Sequence, residues 1–287
     1  MNDQAKGLII TLLGVFLVIP DALFGRLIDG SPASIAFWRN VLSGGLLVTA
    51  LLLLQGTGVF RRAFGAGWSG LGYGLMIGMS GSIFMFAVNM TSVANVVFII
   101  ASMPAFAAFF SWLLIGEVPS KRMIITTCVV AIGLTIVAVG SHGDGVSHWS
   151  GDLMALIVTM SFALALTLAR RVREVNLLPM AGLGYIAAGL VLIPFATPVA
   201  VMAAQPILVL LHGGVFIFGS LTLLALGPRY ITAPEVALLI LLETILAPIL
   251  VWFVLGEVPG IWTWVGGAII LAALFVSNII ALRRSQA

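Results

Sequence analysis

The chain has 287 residues, 61% of them hydrophobic and 8% charged, with a formal net charge of +3. A soluble domain carries about 25% charged residues, so a water-facing surface is excluded and the solvent is lipid. Cys128, inside an apolar run, is the one cysteine, which excludes an intrachain disulfide and a cysteine-based metal site.

A spanning helix needs about 20 predominantly apolar residues. In chain order such runs are 7–25, 34–54, 68–88, 92–114, 122–140, 151–169, 177–198, 206–226, 231–255 and 261–281. They are separated at glycine, proline and clustered charge, as breaks should be. Lys6 before the first run gives it the look of a signal peptide, but no small-x-small cleavage site follows, so it reads as the first span. No segment between spans is long enough to fold alone. The longest gap without a basic residue is 141–150, which contains His142, Asp144 and His148, the histidines reading as solvated.

Charge orients the spans. With the N-terminus inside, the cytoplasmic segments hold Lys6, Arg61, Arg62, Lys121, Arg122, Arg170, Arg171, Arg173, Arg229, Arg283 and Arg284, which is 11 of the 13 lysines and arginines. Arg26 falls outside and Arg39 within the second span. The positive-inside rule then places both termini in the cytoplasm and the chain in the cytoplasmic (inner) membrane.

Gly-Glu-Val-Pro occurs at 116–119 and again at 256–259, 140 positions on. Residues 90–119 laid over 230–259 share eight identities in 30, including Trp112 with Trp252. The first copy follows span four, on the inside, and the second follows span nine, on the outside. The expected fold is therefore an all-α integral membrane protein of ten transmembrane helices, built as two inverted five-helix repeats over residues 1–145 and 146–287. Such repeats are a hallmark of membrane transporters.

Two halves of five helices, Arg39 early in span two, a penultimate helix of each half closing on Gly-Glu, and the segment Ala225 to Leu239 together resemble the EamA branch of the drug/metabolite transporter superfamily. The likeness covers the whole chain. Within the branch, the chain is most similar overall to the YddG-type exporters of aromatic and other amino acids. That resemblance implies export of small solutes without a cofactor. One departure is that Thr244 follows Glu243 where the family commonly has Glu-Pro, while Pro104 stands at the matching place in the first half.

Ionisable groups inside a membrane are functional suspects by default. Asp21 and Arg39 lie at similar depth on sequential helices. They form either a mutual ion pair or a grip on a zwitterion, with Asp21 for the ammonium and Arg39 for the carboxylate. Glu243, near the middle of span nine, is either a neutral packing acid or a site for a proton or a substrate amine. Glu117 and Glu257 read as interfacial helix ends, and Glu235 as a helix-start acid near Arg229. Gly70, Gly74, Gly78 and Ser82 make a small-residue face on span three, with Gly213, Gly214, Gly219 and Ser220 as its counterpart on span eight. If these faces meet a cavity, Met79, Ser82 and Phe86 line it with His212, Phe216 and Ser220. Trp38, Met160, Ser161 and Tyr185 are further cavity candidates. His212 has no second histidine or cysteine near it, which argues against a metal.

Neither lysine, Lys6 nor Lys121, sits in a Gly-Lys-Ser/Thr phosphate loop, and the chain has no nucleotide domain or evident ATPase subunit. Transport is then passive or coupled to an ion gradient. The expected function is alternating-access export of amino acids, aromatic and other neutral ones, with the lipid bilayer as surroundings and no nucleic-acid partner. The alternatives are transport of other metabolites or drugs and a membrane-embedded enzyme. Three scattered histidines speak against the enzyme. Only Arg39 could meet a sugar-phosphate dianion inside the membrane.

Overall fold

The computed structural model describes residues 3–140, 148–227, 230–231 and 233–286. Among the expectations above, His142, Asp144 and Arg229 lie outside the described residues. Every described element is helical: α1 (Asp3–Val18), α2 (Asp21–Leu27), α3 (Pro32–Gln55), α4 (Gly58–Gly65), α5 (Gly67–Met90), α6 (Val93–Ala101), α7 (Met103–Ile115) and α8 (Lys121–Gly140) come first. Then follow α9 (Trp149–Arg171), α10 (Leu178–Val191), α11 (Pro198–Ala204), α12 (Pro206–Val209), α13 (Phe218–Leu226), α14 (Ala233–Leu255) and α15 (Ile261–Gln286).

Among the described residues nine helical segments are long and apolar enough to cross a membrane. The expected seventh span, 177–198, differs. Its helix, α10, stops after 14 residues. Pro194 lacks an N–H and its ring crowds the preceding turn, so the chain passes through a short 3₁₀ turn, Ile193–Phe195, and restarts at Pro198 as α11. This segment covers the α2–α3 corner. The Thr197 amide donates to Ser34 Oγ at 2.8 Å, and the Asp29 amide donates to Gln205 Oε1 at 3.1 Å.

Proline also divides two other spans. Pro20 separates α1 from α2, and Ser102, ahead of Pro104, separates α6 from α7. The matching position in the second half is Thr244, and α14 runs through it without a break. Between α12 and α13 the helix widens into a π-type stretch, Leu210–Ile217, a form concentrated at functional sites.

Each Gly-Glu-Val-Pro is a helix stop. Gly116 (φ 77°) and Gly256 (φ 69°) adopt the positive φ that glycine reaches without a Cβ clash. Their amides donate to the carbonyls of Trp112 and Trp252 at 3.2 and 2.8 Å. Both indoles are about half exposed (52% and 54%), the placement of aromatic residues at a membrane interface. The bundle's flanks are apolar, with Leu53, Leu54 and Phe253 more than four-fifths exposed (81%, 82% and 84%).

The halves interdigitate. α5 packs along α9, α8 along α15, α1 along α13, and α10 against both α3 and α5. The largest core mixes Val15, Phe24, Met85 and Val96 from the first half with Val158, Val209, Ala247 and Val251 from the second. Small residues set the closest approaches: a Cβ added at Gly78 would fall onto the Gly184 carbonyl, and one at Gly184 onto the Gly74 carbonyl. Gly133 and Gly266 bring α8 and α15 together in the same way.

Gly78→Leu should therefore force α5 and α10 apart, at the roughly 1–3 kcal/mol typical of overfilled cores. Gly45→Leu, where no atom lies within 4 Å of the added Cβ, serves as control. Thermal unfolding in detergent should show a lowered midpoint for the first and an unchanged one for the second.

Candidate functional site

Three buried side chains meet at the centre of the bundle. Pro20 restarts the helix so that Asp21 lies in the first turn of α2. Arg39, on α3, donates from Nε to Asp21 Oδ1 at 2.9 Å and from Nη2 to Oδ2 at 2.6 Å. The third member is His212, from the π-type stretch, 191 positions away in the chain. Its Nε2 lies 2.7 Å from Asp21 Oδ1, and against a carboxylate oxygen the ring N–H is the donor. Asp21, Arg39 and His212 are 4%, 6% and 1% exposed.

The surroundings complete the satisfaction of this trio. Arg39 Nη1 donates to Asn40 Oδ1 at 3.2 Å, and Asn40 Nδ2 donates to Ser82 Oγ at 2.8 Å. The guanidinium also lies 5.8 Å from the ring centres of both Phe84 and Tyr185, a cation–π distance. His212 stacks on Phe24 at 5.3 Å. Gly213 lets α3 approach the π-type stretch: an added Cβ would stand 3.0 Å from the Trp38 carbonyl oxygen and 3.2 Å from Arg39 Cα. A bidentate pair in hydrocarbon is strong because each charge neutralises the other. In this conformation the arginine fork is taken by Asp21.

The other sequence candidates are distributed around this centre. Glu243 sits midway along α14, half-buried. It makes no hydrogen bond or ion pair within the described residues, and its helix packs against α2, which carries Asp21. Phe216 packs on Phe24 at 5.1 Å. Trp38 Nε1 donates to the Pro198 carbonyl at 2.7 Å. Ser161 donates to its own helix, to Ile157 O at 2.8 Å. Met160 lies on the surface (38% exposed), whereas Tyr185 is buried beside Arg39.

Of the six residues expected around one pocket, Met79 and Ser82 face a described cleft, while His212 and Phe216 pack on Phe24. Met79 and Ser82 line a 510 Å³ cleft between α5 and α10. Its walls include Leu75 and Val191, both strongly exposed (61% and 70%), so it opens sideways toward lipid. His212 and Phe216 instead close on Phe24. A second cleft, of 670 Å³, runs between α7 and α9 from Met103 and Pro104 to Glu117, Arg170 and Arg173. Among the described residues no group of three His, Cys, Asp or Glu side chains could hold a metal.

Sequence reasoning missed a second polar cluster, at the far end of the bundle from the N-terminus. Asp152 Oδ1 accepts from Thr91 Oγ1 at 2.7 Å and from Asn95 Nδ2 at 3.1 Å, and Thr263 Oγ1 donates to Asn95 Oδ1 at 2.6 Å. Beside it Glu257 Oε1 accepts from the Val93 amide at 2.7 Å. Glu257 is thus built into a helix N-terminus and is not merely interfacial. Glu235 accepts from Gln4 Nε2 at 2.9 Å, which ties the start of α1 to the start of α14.

Removing one member of the central pair leaves an uncompensated buried charge, which costs about 3–5 kcal/mol. Arg39→Gln alone should lower the thermal midpoint in detergent sharply. Asp21→Asn combined with Arg39→Gln should recover at least half of the loss.

The model of the EamA-like transporter family matches residues 5–139 and 149–279. No curated protein matches the chain. Sixteen chains of solved structures do. One, described only as "Crystal structure of protein", aligns with a TM-score of 0.61 at 17% identity over 99% of this chain and 100% of that one, a likeness of fold alone. With a family match in each half, the chain belongs to the EamA-like transporter family, whose members are membrane transporters of small solutes.

Proposed function

We propose that this protein moves neutral, zwitterionic amino acids across the cytoplasmic membrane by alternating access, without ATP, with both termini in the cytoplasm and export as the working direction. The observation that carries the substrate class is the neutralisation of Arg39 by Asp21. Among the described residues a phosphorylated dianion would meet no free positive charge at the bundle centre, whereas a zwitterion brings its own balance. Large apolar side chains suit the 670 Å³ cleft, whose walls carry Met103, Met123, Leu166, Ala107, Ala108 and Ala169.

Glu243 is the residue we assign to the substrate ammonium. It has a carboxyl at mid-depth with no protein donor among the described residues, so a bound amine would supply a partner. Asp21 and Arg39 then serve chiefly to hold α2, α3 and the π-type stretch in register around that point. Phe216 and Trp38 supply apolar wall. Met79, Ser82 and Ser161 are secondary candidates.

Liposomes containing the purified protein should exchange radiolabelled leucine or phenylalanine without ATP. Charge-assisted hydrogen bonds contribute about 1.5–3 kcal/mol, so Glu243→Gln should raise the apparent KM about tenfold or more. The same change should abolish any dependence on a pH gradient if the proton travels through this carboxyl. Exchange of sugar phosphates in place of amino acids would refute the substrate assignment.

A further inference from the structure

The two Gly-Glu-Val-Pro glutamates each meet an arginine from the opposite half. Glu257 lies 3.4 Å from Arg26, and Glu117 lies 3.5 Å from Arg170. The arginines are equivalent in position, each being the penultimate residue of its helix, α2 for Arg26 and α9 for Arg170. The pairs stand at opposite ends of the bundle. Glu257 touches the start of α6, whereas Glu117 follows the end of α7, which continues the same span.

The two pairs differ in engagement. Glu257 holds both Arg26 and the Val93 amide, and Arg26 Nη2 also donates to the Thr91 carbonyl at 2.9 Å. One set of contacts thus ties together the end of α2, the α5–α6 turn and the α14–α15 turn. The side chains of Arg26 and Glu257 are 21% and 12% exposed, against 63% and 52% for Arg170 and Glu117. The helices behind the pairs differ in the same sense. Thr244 and Ala247 are buried (6% and 2%), while their counterparts 140 positions earlier, Pro104 and Ala107, line the open 670 Å³ cleft. Ser111 Oγ, buried in that cleft's wall, has no hydrogen-bond partner.

We propose that Glu257–Arg26 and Glu117–Arg170 are the latches of two gates, positioning residues that are buried and fully engaged one pair at a time, resting on the alternating-access cycle proposed above. The structure is the state with the Glu257 gate shut and the Glu117 gate loose. Exchanging the halves specifies the other state: the α5–α6 contacts move on by 140 positions, Glu257 gives way to Glu117, and Arg26 gives way to Arg170, which holds the same penultimate place on its helix. There Glu117 accepts from the Ala233 amide at the start of α14, and Arg170 donates to the Ile231 carbonyl. Closing that gate collapses the cleft between α7 and α9.

The test uses the full-length protein with Cys128→Ser and one cysteine at a time, Ala107→Cys or Ala247→Cys, in vesicles of known orientation. An impermeant maleimide should label Ala107→Cys from the Glu117 end and spare Ala247→Cys. Adding Glu257→Gln should raise labelling of Ala247→Cys from its own end about tenfold and lower that of Ala107→Cys, the shift expected when a charged hydrogen bond biasing two states is lost. Glu117→Gln should leave the original pattern in place or strengthen it. Should Glu257→Gln fail to insert, Arg26→Gln releases the same latch. Labelling that rises at both positions, or at neither, overturns the proposal. No solute is needed, so a failed amino-acid exchange refutes the substrate assignment alone.

Discussion

A charge in hydrocarbon must be neutralised by a neighbour, and the arrangement of this bundle follows from meeting that demand for Asp21 and Arg39. Pro20 ends α1, so the chain turns and presents Asp21 on a fresh helix. Arg39 reaches it from α3 with two nitrogens. The widened turn through Leu210–Ile217 brings His212 to the remaining approach on Oδ1. Glycine at 213 and at 81 leaves room, since a side chain at either would strike α3 or the Arg39 head group. Helix breaks, π-type turn and glycine placement are thus three answers to one electrostatic requirement.

Four residues repeated in the chain do two physical tasks. Glycine at positive φ and proline three residues later stop the helix beneath an interfacial tryptophan. The glutamate between them is left at the end of the bundle, where an arginine from the other half can reach it. Because the copies sit at opposite ends, one sequence plan places a glutamate–arginine pair on each side. A partly buried glutamate that also caps a helix is held far more firmly than an exposed pair, which contributes about 0–1 kcal/mol. That difference is the basis of the two gate states proposed above.

Much of this was open to reading before any coordinates. Hydropathy placed the long spans because lipid permits little else. The repeat is visible in Trp112 and Trp252 with the motifs they precede, and equal depth on adjacent helices offers two readings of Asp21 and Arg39, of which the mutual ion pair is the arrangement in this structure. Composition extends the seventh span too far because Pro194 and Pro198 stand in a continuous apolar run, and the helix ends at Val191 ahead of them. His212 could not be matched to Asp21, since nothing local links residues 191 positions apart and a π-type turn has no clear sequence signature. The Glu257 contacts do carry a sequence signal: Arg26 and Arg170 occupy equivalent helix ends, as do the two glutamates.

Double electron–electron resonance tests the central claim, that the two ends of one bundle open in alternation, most directly. In a Cys128→Ser protein, one spin-label pair at Val118 and Arg171 spans the Glu117 end, and another at Asp29 and Val258 spans the Glu257 end. These sites are all exposed. The account predicts that Glu257→Gln lengthens the Asp29–Val258 distance and shortens the Val118–Arg171 distance in the same population of molecules. Two distances that stay fixed, or that lengthen together, would contradict it.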